Sequence, residues 1–204
     1  MSHSFGPRIN KGSGPSQKLK EYNVRKRAWP YLLADFRERC AYSMRHLRIA
    51  GGESQMEVDH FDPTLRGAAR NAYSNLMLAT RHCNLRKRDY WPTQRELHEG
   101  FRLLNPCREV DYGEHLFEDP VTNHLIGATR AGRYHIDICD LNNDTFVWER
   151  RQRSRFLELK RESPALISGS FSEIQEMLDF IAGLVGLLIP EIPTPGERPL
   201  TDVS

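Results

Sequence analysis

The sequence predicts an α+β fold: a core within residues 24–92 that contains a half-buried strand, flanking helices, and a small antiparallel strand-rich C-terminal unit. Three observations predict it. Met56 to Phe61 alternates apolar and polar side chains in the manner of a half-buried strand. A second segment, Tyr73 to Ala79, carries the consecutive core residues Leu76, Met77 and Leu78. Residues 115–149 break into short β-prone runs separated by turn signals. A chain of 204 residues can bury one ordinary core with at most a small appended lobe.

Residues 1–23 read as a basic flexible N-terminal tail, the first sixteen being rich in Ser, Gly and Pro. From about Gln17 to Arg39 the periodicity turns helical, with Trp29, Leu32, Leu33, Phe36 and Cys40 at helix spacing and Pro30 in the first turn of a second helix. Arg25, Lys26 and Arg27 suit phosphate contacts and a solvated face equally well. Gly51-Gly52 marks the loop before the first core strand. After Trp91-Pro92 an accessory region, 93–189, begins with a helix over Thr93–Leu104 that Asn105-Pro106 stops. Strands are expected at His115–Glu118, Leu125–Thr129, Arg133–Cys139 and Thr145–Trp148, with turns at Asp119-Pro120, Ala131-Gly132 and Asn142–Asp144. A highly charged helix follows, from about Asp144 or Glu149 to Arg161. Ser170 and Glu173 form a capping-box pattern ahead of a helix with a broad apolar face, Ile174 to Leu188. Residues 190–204, with four prolines, read as a flexible tail.

A net charge of +2 does not by itself announce a nucleic-acid binder. Its distribution says more: residues 1–48 carry eleven Lys or Arg against three acids, a net of +8, which suits a polyanion or a solvated basic segment. The four scattered cysteines form no disulfide framework, and neither a signal-type segment nor a membrane-length apolar run is present, so a cytoplasmic protein with no membrane association is expected. There is no glycine-rich phosphate loop of the P-loop kind, which excludes an ATPase of that class.

Chemistry concentrates between Glu57 and Lys87. Asp59-His60 is followed fifteen positions on by Asn75-Leu76, nine further by Asn84 within Cys83-Asn84, and then by Lys87. Phosphodiester hydrolysis needs an activated water, a neutralised phosphate and a stabilised leaving oxygen. A neutral imidazole can accept the water's proton near pH ~6.5. Carboxylate and amide oxygens suit Mg²⁺ or Mn²⁺. Arg81, Arg86, Lys87 and Arg88 crowd around Asn84 as candidate phosphate contacts. Each residue alone has a structural reading: Asp59 and Asp62-Pro63 in a turn, Asn75 and Asn84 as helix caps.

Taken together, these positions resemble the HNH endonuclease family, in its H-N-N form with His60, Asn75 and Asn84. The resemblance spans about forty-five residues from Cys40 and implies a ββα-metal core. It also implies His60 as general base, Asp59 and Asn84 holding one Mg²⁺ (or Mn²⁺), and Asn75 orienting the strand and ring of His60. Many such proteins frame the site with a four-ligand zinc knuckle; here its positions read Cys40, Ser43, Thr80 and Cys83, and hydroxyls are poor zinc ligands, so no structural zinc is expected. Cys40 and Cys83 are instead expected to be small buried neighbours.

Downstream, Arg102–Pro106, the strand-rich unit and the charged helix look like the small HNH proteins of bacterial anti-phage systems, such as the Septu nuclease subunit and the HNH protein of certain retron operons. That resemblance implies a defence role beside an ATPase subunit. Two functional classes stand: a metal-dependent endonuclease acting on nucleic acid, DNA first, and a catalytically idle HNH-fold nucleic-acid-binding or scaffolding subunit.

Overall fold

Two small antiparallel sheets organise the chain. The computed structural model describes residues 3–6, 9–109 and 112–162. It divides into two units, residues 1–152 and residues 153–204, and the described part of the second is the end of one helix. The elements are β1 (His3–Ser4), α1 (Val24–Asp35), α2 (Leu47–Ala50), β2 (Met56–His60), α3 (Gly67–Arg70), β3 (Leu76–Thr80) and α4 (Arg81–Lys87). After these come α5 (Gln94–His98), α6 (Tyr112–His115), β4 (Leu116–Glu118), β5 (Leu125–Gly127), α7 (Arg130–Cys139) and α8 (Asp144–Glu162). The helix expected from Ser170, its face Ile174–Leu188 and the tail 190–204 lie outside the described residues.

The expected hairpin is present. β2 pairs antiparallel with β3 from Met56↔Thr80 to His60↔Leu76, and α4 follows at once. All five residues of β3 are buried, so its apolar run anchors the sheet on both faces. Thr80 caps α4 by accepting from the Cys83 amide at 3.4 Å. Behind the hairpin, α1 buries Val24, Ala28 and Leu32, a four-residue repeat that defines one helical face. The two helices expected over 17–39 are one. Pro30 lies inside α1 on its exposed side, where water can bond the carbonyl that the missing N–H leaves.

Residues 3–6 and 9–23, read from composition as tail, belong to the fold. Phe5 and Ile9 are buried, and their amides bond the carbonyls of Leu116 and Pro106. The Lys11 ammonium sits against the carbonyls of Tyr73 and Leu76 (2.6 Å to the latter) and over the Tyr73 ring at 4.3 Å. Burial brings its pKa down to about 8. Apolar side chains at three buried positions, Phe5, Ile9 and Leu19, and one lysine stem suffice to dock a segment that is otherwise largely polar.

Three further expectations are corrected. The helix from Thr93 stops at His98. Gly100 takes φ +85°, and the amides of Gly100 and Phe101 close on the carbonyls of Leu97 and Glu96, a glycine-specific helix stop. The strand expected at Arg133–Cys139 is α7: the Thr129 hydroxyl accepts from Gly132 N at 3.0 Å, and the buried positions 131, 132, 135, 136 and 139 recur at helical period. The strand expected at Thr145–Trp148 is the first turn of α8. Asn143 accepts from Phe146 N at 3.1 Å, so this helix starts at the earlier of its two expected points. The remaining sheet has order β1-β4-β5, antiparallel throughout. Helix α7 packs so tightly on the end of α6 and on β5 that a Cβ on Gly132 would lie 2.2 Å from the His115 carbonyl oxygen and 3.1 Å from Gly127 Cα. No described helix is long and apolar enough to cross a membrane.

Candidate active site

Strand alternation puts Glu57 and Asp59 on one face of β2, while helical spacing puts Asn84 and Lys87 on one face of α4. The two faces meet in register. Asn84 Nδ2 donates to the Glu57 carboxylate, and Lys87 Nζ lies 3.1 Å from each oxygen of Asp59. Lys87 Nζ also donates to the His60 carbonyl at 2.9 Å. Tyr42, fully buried, gives its hydroxyl to Asp59, and burial together with that carboxylate raises its own pKa. Lys87 is 0 % exposed and Asp59 5 %. The lysine expected to meet a phosphate is therefore an internal counter-charge, because its nearest carboxylate lies beneath the sheet face rather than at the surface.

His60 points the other way along β2 and is half-buried. Its Nε2 lies 2.9 Å from Asn71 Oδ1. Asn71 Nδ2 in turn reaches the Glu21 carboxylate at 3.3 Å. The expected partner of the ring, Asn75, is buried, and its side-chain hydrogen bonds go elsewhere. Asn75 Oδ1 accepts from Asp62 N at 2.9 Å, and its Nδ2 donates to the carbonyls of Arg70 and Asp62 at 2.9 and 3.2 Å. The Asn75 carbonyl accepts from Phe61 N at 2.8 Å. Asn75 thus clamps the two ends of the loop that follows His60.

An open cavity of about 250 Å³ forms where these parts converge, lined among others by His60, Asn84, Arg70, Leu85, Arg88 and Asp89. Arg81, Arg86 and Arg88 are exposed on or beside α4. Arg86 lies 3.5 Å from Asp140, and Arg88 bonds the Leu85 carbonyl at 3.2 Å. Arg88 adopts φ 49°, ψ −142°, a strained conformation for a side-chain-bearing residue.

With this geometry described, the family comparison becomes informative. Residues 38–89 match the family model for HNH endonucleases. The matched HNH domain contains β2, β3, α4, Tyr42 and the whole Glu57–Asn84 and Asp59–Lys87 contact face. It excludes Glu21. Searches of curated proteins and of solved structures returned no match.

Among the described residues no three His, Cys, Asp or Glu side chains gather as a ready-made metal site. The matched stretch does offer hard oxygens on adjoining rungs: the Glu57 and Asp59 carboxylates and the Asn84 amide, whose nitrogen is turned to Glu57. This set fits Mg²⁺ or Mn²⁺, which take few protein ligands and keep several waters. It does not extend to a tetrahedral zinc at the knuckle positions. There Cys40 Sγ accepts from Ser43 N at 3.4 Å and from the Thr80 hydroxyl at 3.7 Å, so hydrogen bonds among a thiol, a hydroxyl and an amide close the corner. Cys83 is buried beside Cys40, and burial pushes its thiol up.

Glu57, Tyr42, Asn71 and Glu21 were not singled out from sequence as site residues. Glu57 stands two positions before Asp59, a strand-face signal that could have found it. Nothing marks Asn71 over Asn75, or Glu21 over the other N-terminal acids.

Proposed function

We propose that the HNH domain hydrolyses phosphodiester bonds of nucleic acid, DNA first, with one bound Mg²⁺ or Mn²⁺. The observation that supports this most is the convergence of His60 and Asn84 on one open cavity within the stretch that matches the HNH family. In this reading neutral His60 takes a proton from the attacking water. Asp59 and Asn84 hold the cation, Asp59 while also paired to Lys87, and Glu57 keeps the Asn84 oxygen turned away from itself. When bound, the cation neutralises charge developing on the phosphate and the leaving oxygen. Asn75 holds the loop beside His60. Arg81, Arg86 and Arg88 contact phosphates and give affinity without sequence preference. The partner class implied by sequence resemblance, an ATPase subunit of a defence system, rests on Arg102–Pro106, the strand-bearing stretch after it and the charged helix alone.

A second reading, an idle nucleic-acid-binding or scaffolding subunit, is favoured by one observation. Lys87 already neutralises Asp59, which weakens that carboxylate's hold on a cation. A plasmid-nicking assay with Mg²⁺, Mn²⁺ or EDTA, run beside His60→Ala, separates the two. Cleavage that requires metal and is lost in folded His60→Ala is the expected result. Metal-dependent cleavage retained by His60→Ala removes His60 as base, and absence of cleavage by the folded wild type with retained DNA binding selects the second reading.

A further inference from the structure

We propose that Asn71, anchored by Glu21, is a positioning residue for His60, so that the catalytic centre extends beyond the matched HNH stretch into the segment ahead of α1. The inference builds on the reading of His60 as the base.

A neutral imidazole has one N–H and one lone pair, and an amide oxygen can only accept. Asn71 Oδ1 at 2.9 Å therefore requires the proton on Nε2. The amide cannot be turned round without cost, because its nitrogen faces a Glu21 carboxylate oxygen at 3.3 Å that can also only accept. Reversal would set the amide oxygen against the Glu21 carboxylate, two acceptors with no proton between them. Glu21 thus fixes the amide, the amide fixes the ring, and Nδ1 is left as the basic nitrogen. No described donor reaches Nδ1.

The relay is built, not incidental. Asn71 is 8 % exposed and caps the C-terminal end of α3. The carbonyl of the residue before it, Arg70, is bound by Asn75 Nδ2 at 2.9 Å. The motif asparagine therefore acts on His60 through the backbone that carries Asn71. Glu21 lies also 3.9 Å from Arg70 Nε, which holds the carboxylate near the amide from its exposed side. A neutral imidazole held in one tautomer and one orientation removes the rotational search that a free ring would make before each proton transfer.

The test reads the hydrogen bond itself by NMR, independently of cleavage. In ¹⁵N-labelled protein, about two pH units above the ordinary imidazole pKa of ~6.5, wild type should show a slowly exchanging His60 Nε2–H, assigned by its absence in His60→Ala. Asn71→Ala should lose that resonance while its other amide shifts stay in place. Its kcat should fall about 10- to 100-fold with KM for DNA unchanged. Glu21→Ala, at an exposed position that does not threaten folding, should speed exchange of the same proton, and Glu21→Gln, which still presents an acceptor, should restore it. A wild-type His60 protonated at Nδ1, or an Nε2–H that exchanges equally slowly in Asn71→Ala or in Glu21→Ala, overturns the proposal. If wild type shows the protected proton but cuts nothing, the relay stands and it is the nuclease reading that fails.

Discussion

Asp59 and Lys87 form a buried ion pair beneath the open cavity, with the ammonium 3.1 Å from both carboxylate oxygens and no exposed surface of its own, while the carboxylate lines the cavity floor. The Tyr42 hydroxyl and the His60 carbonyl complete its hydrogen bonding. Pairs of this kind contribute little net stability compared with an apolar replacement, yet removing one member strands the other charge.

Lys87→Met should therefore lower stability by about 3–5 kcal/mol, the cost of an unpaired buried carboxylate. Asp59→Asn combined with Lys87→Met should recover a large part of that loss. Urea unfolding of the three proteins measures both effects. A single-variant loss below about 0.5 kcal/mol, the scale of an exposed ion pair, would show that solvent reaches the pair.

Arg88 is held at φ 49°, ψ −142° on the rim of the cavity. Glycine relieves a strain of about 1–3 kcal/mol and gives back about 0.5–1 kcal/mol through the freer unfolded chain. Arg88→Gly should thus be more stable than wild type by roughly 1 kcal/mol while binding DNA more weakly, with the salt-dependence slope reduced by about one. Thermal melts and DNA titrations across a salt series check both halves. Unchanged stability would mean that the backbone is unstrained, and an unchanged slope would mean that the guanidinium meets no phosphate.

His135 is wholly buried, its Nδ1 accepting from Leu104 N at 3.2 Å and its Nε2 without a hydrogen-bond partner among the described residues. Burial, with the nearby positive charges of His115 and Lys87, brings its pKa down to about 3. Above the unfolded value of ~6.5 neither state is protonated and this group adds no pH dependence. Between that value and about 3 the unfolded chain binds a proton that the folded chain refuses, so stability falls as pH falls, by up to about 1.4 kcal/mol per pH unit. His135→Gln should flatten the slope by one proton across this window. Denaturant unfolding at several pH values reads it directly, and an equal slope in the variant would assign the acid lability elsewhere.

The sequence was most legible where one physical signal acted alone. Alternation at Met56–Phe61 located β2 and the apolar run at Leu76–Ala79 a buried core segment, and residues 38–89 match the family suggested by Asp59, His60, Asn75 and Asn84, whose resemblance implied that the two form a hairpin. It misled where two signals competed. His135–Cys139 alternates like a strand, with Ile136 and Ile138 as β-branched residues, yet Thr129 six positions earlier caps a helix through them. Thr93–Leu104 has helical apolar spacing, but Gly100 ends the helix by adopting a backbone conformation that Phe101 then locks. The burial of Lys87 could not be read at all, because it depends on Asp59 and Tyr42, which only the tertiary fold brings together. The choice of Asn71 over Asn75 as ring partner is of the same kind: both lie in the loop after His60, and only its three-dimensional path decides which one faces the imidazole.

The docking of the N-terminal residues has a consequence for the order of events during synthesis. His3 pairs with Glu118, and Phe5 N with Leu116 O, so β1 has no partner until the ribosome has delivered the middle of the chain. The β2–β3 hairpin needs only the chain between Met56 and Thr80 and can close long before. Closing the larger loop carries a greater entropic cost, and contacts of such long range form slowly. The β2–β3 scaffold should therefore assemble first, and the strap that bears Glu21 should settle against it late, making the contact between Glu21 and Asn71 one of the later parts of the molecule to form.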